Sequence, residues 1–250
     1  MGPVRRGRTT LWNKSSRRDG HRKVTPKVCV SISSTDTPEL LGRAQRAERL
    51  SADLVEVRLD RLRSYHGLTK IARAVERPII GTNRPLSEKG SFDRSEAERL
   101  KILMEAVEGG FQYVDLELTT TKLDRVIKTF REKGAKIILS HHDHFRTPDP
   151  AKLASTLVQL QKFKPDVCKI VTTAQIPEDN LTVLSLLKAN HQNSPLVSFA
   201  MGQAGVWSRL LAPFYGAHFT YASLERGLET APGQSTIAEL RRIYEMLGVE

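Results

Sequence analysis

The sequence predicts an α/β fold, a single (β/α)8 barrel over residues 27–250 preceded by a disordered basic extension over residues 1–26. Three observations carry this. Eight short runs rich in β-branched residues alternate with amphipathic segments at intervals of about 22 to 35 residues, and eight parallel strands joined by helical crossovers close without a free edge. A length of 250 residues suits one barrel. No Gly-x-Gly-x-x-Gly follows the first strand, which weakens the runner-up, a doubly wound open sheet.

The first strand, 28–32, ends at Ser33-Ser34-Thr35-Asp36, a cluster suited to capping the helix expected over 37–51, where Leu40, Leu41, Ala44, Ala47 and Leu50 share a face. Strand two is 54–58, and Ile71, Ala74 and Val75 mark the helix after it. Strand three, 78–82, opens onto a long polar loop reaching about Arg94. The next helix carries Leu100, Leu103, Met104 and Val107 at helical spacing and stops at Gly109-Gly110, where glycine accepts a left-handed conformation. Strand four is 113–118, its helix over 123–133 stops at Gly134, and strand five is 136–140. A helix over 148–163 turns Leu153, Leu157 and Leu160 inward, and strand six is 166–171. Pro177 opens a helix containing Val183, Leu184 and Leu187, and Pro195 introduces strand seven, 196–200. A short helix over 207–214 leads through Gly216 to strand eight, 218–222. The last helix has Thr236 and Glu239 in capping-box spacing, with Ile237, Leu240, Ile243 and Leu247 inward.

A net charge of +11 raises the question of nucleic-acid binding. Residues 1–26 hold eight basic side chains against Asp19 alone, so +7 of the total sits in a stretch without apolar periodicity. Nucleic acid is therefore not expected as a partner of the barrel. No run of eighteen uncharged apolar residues occurs, and no membrane helix is expected. Cys29 and Cys168 both fall in predicted strands, where free cysteine behaves as a small apolar group; they point to a reducing cytoplasm and not to a disulfide framework.

In strand six a period of two puts Val167, Lys169 and Val171 on one face, apolar except for the lysine. A buried ammonium among apolar neighbours must pair with an acid, lose its proton or react, and the third course yields a nucleophilic amine for Schiff-base chemistry. In a barrel, active residues stand at the C-terminal strand ends, and polar groups recur there. Glu56 and Arg58 share a face of strand two, either as an internal ion pair or as site residues. Arg84 follows strand three, with Glu88 four residues on. Strand five ends at Ser140 and runs into His141-His142-Asp143-His144. Adjacent residues of an extended segment point apart, so one imidazole as a proton carrier is favoured over a zinc site. Ser208-Arg209 follows strand seven, and Thr230-Ala231-Pro232-Gly233-Gln234 follows strand eight. An amine, an imidazole and arginines at one mouth describe a site for a small anionic oxo-compound, because arginine binds carboxylate bidentately and lysine attacks a carbonyl.

Glu56-Val57-Arg58, the loop from Arg84 to Glu88, Ser140-His141-His142-Asp143, Cys168-Lys169-Ile170, Met201-Gly202 through Ser208-Arg209, and Ala231-Pro232-Gly233-Gln234 occur in an order and at separations that resemble type I 3-dehydroquinate dehydratase. The resemblance runs from about Val28 to the C-terminus. It implies a TIM barrel that dehydrates 3-dehydroquinate to 3-dehydroshikimate on the way to chorismate and the aromatic amino acids, with no metal and no organic cofactor. Carried over by position, Lys169 is the Schiff-base lysine, His142 and not His141 the general acid and base, and Arg209 the binder of the substrate carboxylate. Glu56, Arg58 and Arg84 hold ring hydroxyls and shape the site, Glu88 orients or tunes His142, and Thr230 and Gln234 come from a closing loop. Ser31, Met201 and Tyr221 fall at pocket positions.

The apolar barrel and cations such as Arg58 and Arg84 are expected to activate the amine. Barrels of this kind often pair through exposed helix faces, so a homodimer is expected. Two positions depart from the family pattern: Thr230 stands where serine is common, and His144 replaces a phenylalanine after the His-Asp pair. Two alternatives stay open. A class I aldolase acting on a sugar phosphate would need a phosphate loop after strands seven and eight, and a basic binding protein would have a barrel without activity.

Overall fold

The computed structural model describes residues 25–190 and 194–249. The predicted extension lies outside the described residues as far as residue 24. Pro26, which the sequence places in that extension, is buried, and Arg241 donates to its carbonyl at 3.2 Å.

Among the described residues eight strands alternate with eight α-helices: β1 (Val28–Ser33), α1 (Thr37–Arg49), β2 (Leu54–Arg58), α2 (Leu68–Ala74), β3 (Ile79–Thr82), α3 (Glu96–Glu108), β4 (Tyr113–Glu117), α4 (Leu123–Glu132), β5 (Lys136–His142), α5 (Pro150–Gln161), β6 (Val167–Thr173), α6 (Asp179–Ala189), β7 (Leu196–Met201), α7 (Val206–Leu211), β8 (Thr220–Ser223) and α8 (Ile237–Met246). The strands pair in parallel in the order β7-β6-β5-β4-β3-β2-β1-β8 and curl into a nearly closed barrel. At the seam, His218 N–H donates to Leu196 O at 2.8 Å. This is the predicted architecture, a (β/α)8 barrel.

Local chemistry sets the helix ends. Asp36 accepts from Glu39 N–H at 2.9 Å to start α1, and Ser95 with Glu98 and Thr236 with Glu239 form capping boxes on α3 and α8. Beyond α3 the chain turns at Gly110 with φ of 110°, a conformation that costs glycine nothing. Two expectations need correction. Leu247 lies past the end of α8 and is 56% exposed; Tyr244 fills the inner face instead, its hydroxyl donating to Leu210 O at 3.0 Å. Strand five does not stop at Ser140, since His141 and His142 continue the ladder opposite Ile170 and Val171.

Helices cover the outside of the sheet with side chains such as Leu40, Ile71, Leu103, Leu157 and Leu184, all buried. Inside the barrel the period of two separates two layers. Cys29, Leu54, Ile80, Ile138, Val167 and Phe219 form an apolar floor. Two residues further along the same strands stand Ser31, Glu56, Thr82, Ser140, Lys169 and Tyr221, each buried at the C-terminal side. The site is built on this second layer. Both cysteines are buried free thiols, and among the described residues no helix is long and apolar enough to cross a membrane.

Candidate active site

Lys169 projects from the middle of β6 into the barrel and is not isolated. Its Nζ donates to Asp115 Oδ2 at 2.8 Å and to the Tyr221 hydroxyl at 3.0 Å, with Glu56 Oε1 at 3.4 Å. The neighbours expected from the sequence were apolar walls and cations. Two carboxylates are closer, so the charged amine has partners at rest. Glu56 also accepts from Ser31 Oγ, from Thr82 Oγ1 at 3.0 Å and from Tyr221 Oη at 3.3 Å. Burial pushes the Glu56 carboxyl up, but the Lys169 and Arg58 cations outweigh it and hold the group below the usual carboxylate range. Burial, reinforced by Glu56, raises the Tyr221 phenol well above its ordinary value, so it stays protonated between Lys169 and Glu56.

Charge alternates outward from the lysine. Arg84 bridges Asp115 at 2.9 Å and Glu117 at 2.6 Å and donates to Ser140 Oγ at 3.0 Å, and Arg99 closes on Glu117 at 2.7 Å. Arg84 is held by its own loop: Phe92 N–H donates to Arg84 O at 3.1 Å, and a Cβ on Gly90 would lie 2.0 Å from that same oxygen, leaving room for glycine alone. Desolvation raises the Asp115 carboxyl, yet the Arg84 and Lys169 cations prevail and depress it far below its ordinary value. The stability it contributes is therefore complete above its unfolded pKa of ~3.9 and is lost as the pH falls below that point. Asp115→Ala leaves Lys169 and Arg84 short of a partner inside the barrel. We expect a loss of about 3–5 kcal/mol, read as a lower urea midpoint.

The Glu56–Arg58 pair weighed from the sequence does not form. Arg58 grips Asp60 with two bonds of 2.8 and 2.9 Å, while Glu56 turns to Lys169. His142, at the end of β5, is half-buried and faces the cavity, with its Nδ1 unpartnered among the described residues. Burial first, then the Arg84 and Lys169 cations, hold its imidazole well below the ordinary value, so it is neutral at pH 7. Glu88 makes no hydrogen bond with His142: one carboxylate oxygen accepts from Thr119 at 2.9 Å and the other lies 3.7 Å from His144 Nε2.

Arg209, on the short helix α7, is set by Ser208, which accepts from Ala200 N–H at 2.9 Å, and by its own carbonyl, which accepts from Thr220 at 2.7 Å. Its guanidinium lies 4.2 Å from the Phe199 ring centroid and donates to Pro232 O at 3.3 Å, while Nε has no partner among the described residues. No carboxylate pairs with it among the described residues, and burial pushes it down to about 9. The loop after β8 folds over it, with Gln234 Oε1 accepting from Thr230 N–H at 2.8 Å.

Lys169, Arg84, His142 and Arg209 line one cavity of about 250 Å³. Of the residues singled out from the sequence, Lys169, His142, Glu88, Glu56, Arg58, Arg84, Met201, Arg209, Tyr221, Thr230 and Gln234 all face it. Ser31 does not, and supports Glu56 from beneath. Among the described residues, no group of three or more His, Cys, Asp or Glu is placed to hold a metal ion. Sequence reasoning missed Asp115, Glu117 and Asp60, although the spacing of two that marks Glu56 and Arg58 runs equally through Asp115 and Glu117.

A model of the type I 3-dehydroquinase family matches residues 28–250. A 3-dehydroquinate dehydratase from Dehalococcoides mccartyi is 36% identical over 219 residues, which cover 88% of this chain and 95% of that protein. One from Thermococcus onnurineus is 39% identical over 197 residues, covering 79% and 88%. The crystal structure of 3-dehydroquinate dehydratase from Geobacillus kaustophilus superposes with a TM-score of 0.82 at 25% identity, over 89% of this chain and 91% of that one. The family match spans the whole barrel and the relatives align over most of their own length; the chain belongs to the type I 3-dehydroquinase family.

Proposed function

We propose that the chain dehydrates 3-dehydroquinate to 3-dehydroshikimate through an imine on Lys169, within the shikimate route to chorismate. The observation that carries this is the pairing of two buried cations on one cavity. One is an amine able to attack a ketone, and the other is a guanidinium with no carboxylate of its own among the described residues. Lys169 adds to the C3 carbonyl and water leaves. The protonated imine then acidifies C2 by accepting its electron pair, and His142 removes that proton. The enamine expels the C1 hydroxyl, which takes the proton back from His142 and departs as water. Hydrolysis of the product imine frees the lysine. Arg209 takes the C1 carboxylate. Glu56, Arg58 and Arg84 meet the ring hydroxyls, Met201 and Tyr221 wall the ring, and Thr230 and Gln234 close over it.

Borohydride reduction in the presence of 3-dehydroquinate, followed by intact mass and peptide mapping, tests the proposal. An adduct on Lys169 supports it, and no adduct on folded protein overturns it. Arg209→Gln is expected to raise KM roughly 10- to 100-fold, the worth of a charged hydrogen-bonded pair at ~1.5–3 kcal/mol, with a smaller change in kcat. A homodimer in the reducing cytoplasm is part of the same proposal. It is supported by the free thiols of Cys29 and Cys168 and by exposed apolar side chains such as Leu181 and Trp207 on the outer helices.

A further inference from the structure

His142 ends β5 and His144 lies two residues past it in a bend, where the two rings stack on one side. A tight turn fixes the second of them. Asp143 Oδ1 accepts from the N–H groups of Phe145 and Arg146, each at 3.0 Å, Asp143 N–H donates to Val171 O at 2.8 Å, and Thr173 Oγ1 donates to Asp143 O at 2.9 Å. The outcome is two parallel imidazoles on the cavity wall, 5.5 Å between centroids and 8° between planes. His142 Nδ1 and His144 Nε2 are both buried and without a hydrogen-bond partner among the described residues. Glu88 Oε2 lies 3.7 Å from His144 Nε2 while Thr119 anchors its other oxygen, and Lys89 Nζ reaches the His144 carbonyl at 3.4 Å.

We propose that His144 is a positioning residue for the proton transfers of His142: it stacks on His142, faces Glu88, and by its own charge state sets how readily His142 takes up a proton. The inference rests on the assignment of His142 as the acid and base. With His144 neutral, its ring offers a polarisable face to the imidazolium that forms on His142, and its Nε2–H closes on Glu88 with a small movement. With His144 protonated, Glu88 is drawn into an ion pair, and a second positive charge stands beside the ring that has to become positive. The charged groups facing His144 are Glu88 and Lys89 from the loop after β3, Arg84 from the same segment, and Asp143 from its own strand end. Those facing His142 are Arg84, Lys169 and Asp115. Burial lowers both imidazoles, His142 the more, so His144 charges first on acidification.

The test is an NMR titration of both imidazoles in the substrate-free protein, in wild type and in His144→Phe, His144→Gln and Glu88→Gln. Both substitutions at 144 should raise the proton affinity of His142 by about threefold or more, and Glu88→Gln should shift the titration of His144 to lower pH. In turnover, the acid limb of kcat/KM should move to higher pH in His144→Phe, by the same factor as the His142 titration, a change that a merely structural role does not produce. A His142 titration unmoved in both folded variants at 144, a His144 titration indifferent to Glu88→Gln, or an unmoved acid limb overturns the proposal. The titrations use no substrate, so they fail or succeed independently of borohydride capture.

Discussion

A Lys169→Ala variant forms no borohydride-stable adduct with 3-dehydroquinate and loses turnover by on the order of 10⁴-fold or more. The amine is the group that turns a ketone into an electron sink, and among the described residues no other lysine is buried in the barrel layer that holds Glu56, Asp115 and Tyr221. The variant should still fold. Asp115 keeps Arg84 at 2.9 Å and Ser140 at 2.6 Å, and Glu56 keeps Ser31, Thr82 and Tyr221. Both carboxylates lose a shared cation, however, so their proton affinities rise toward ordinary values. The stability they contribute above their unfolded pKa shrinks, and the variant loses less of it on acidification than wild type does. A pH series of urea midpoints reads this difference. Normal turnover in the folded variant would remove Lys169 from the mechanism.

A His142→Ala variant retains capture and loses turnover by about 10²- to 10⁴-fold, the usual contribution of a positioned proton carrier. Imine formation depends on the amine and the carbonyl; abstraction of the C2 proton and delivery of a proton to the departing hydroxyl depend on the imidazole. Because burial and the cations of Arg84 and Lys169 hold His142 well below its ordinary value, the base is in its working form at pH 7. The acid limb of kcat/KM in wild type then lies below pH ~6.5, and protonation as pH falls removes the base. Mass spectrometry after reduction separates the two variants: an adduct accumulates in His142→Ala and is absent in Lys169→Ala. If His142→Ala turned over at the wild-type rate, the proton carrier would have to be sought elsewhere on the cavity wall.

Much of the barrel was readable along the chain because its causes are local. Caps at Asp36, Ser95 and Thr236, the turn at Gly110, and apolar stripes such as Leu153, Leu157 and Leu160 all act within a few residues. Reading failed where the cause was distant. Leu247 continues the apolar period of α8, but the helix ends before it can be covered and Tyr244 takes its place. His141 and His142 look like loop residues by composition, yet pairing with Ile170 and Val171 extends β5 through both.

That Lys169, His142 and Arg209 share one cavity followed from the chain alone, since strand alternation and the strand-end rule are statements about neighbours in sequence. Partnership followed from the tertiary structure alone. Lys169 meets Asp115 across 54 residues and Glu56 across 113, Arg58 chooses Asp60 over Glu56, and Glu88 faces His144. Which opposite charges touch is set by strand register and by the closing of the barrel, because Coulomb attraction and desolvation act on distances in space, to which separation along the chain gives no guide.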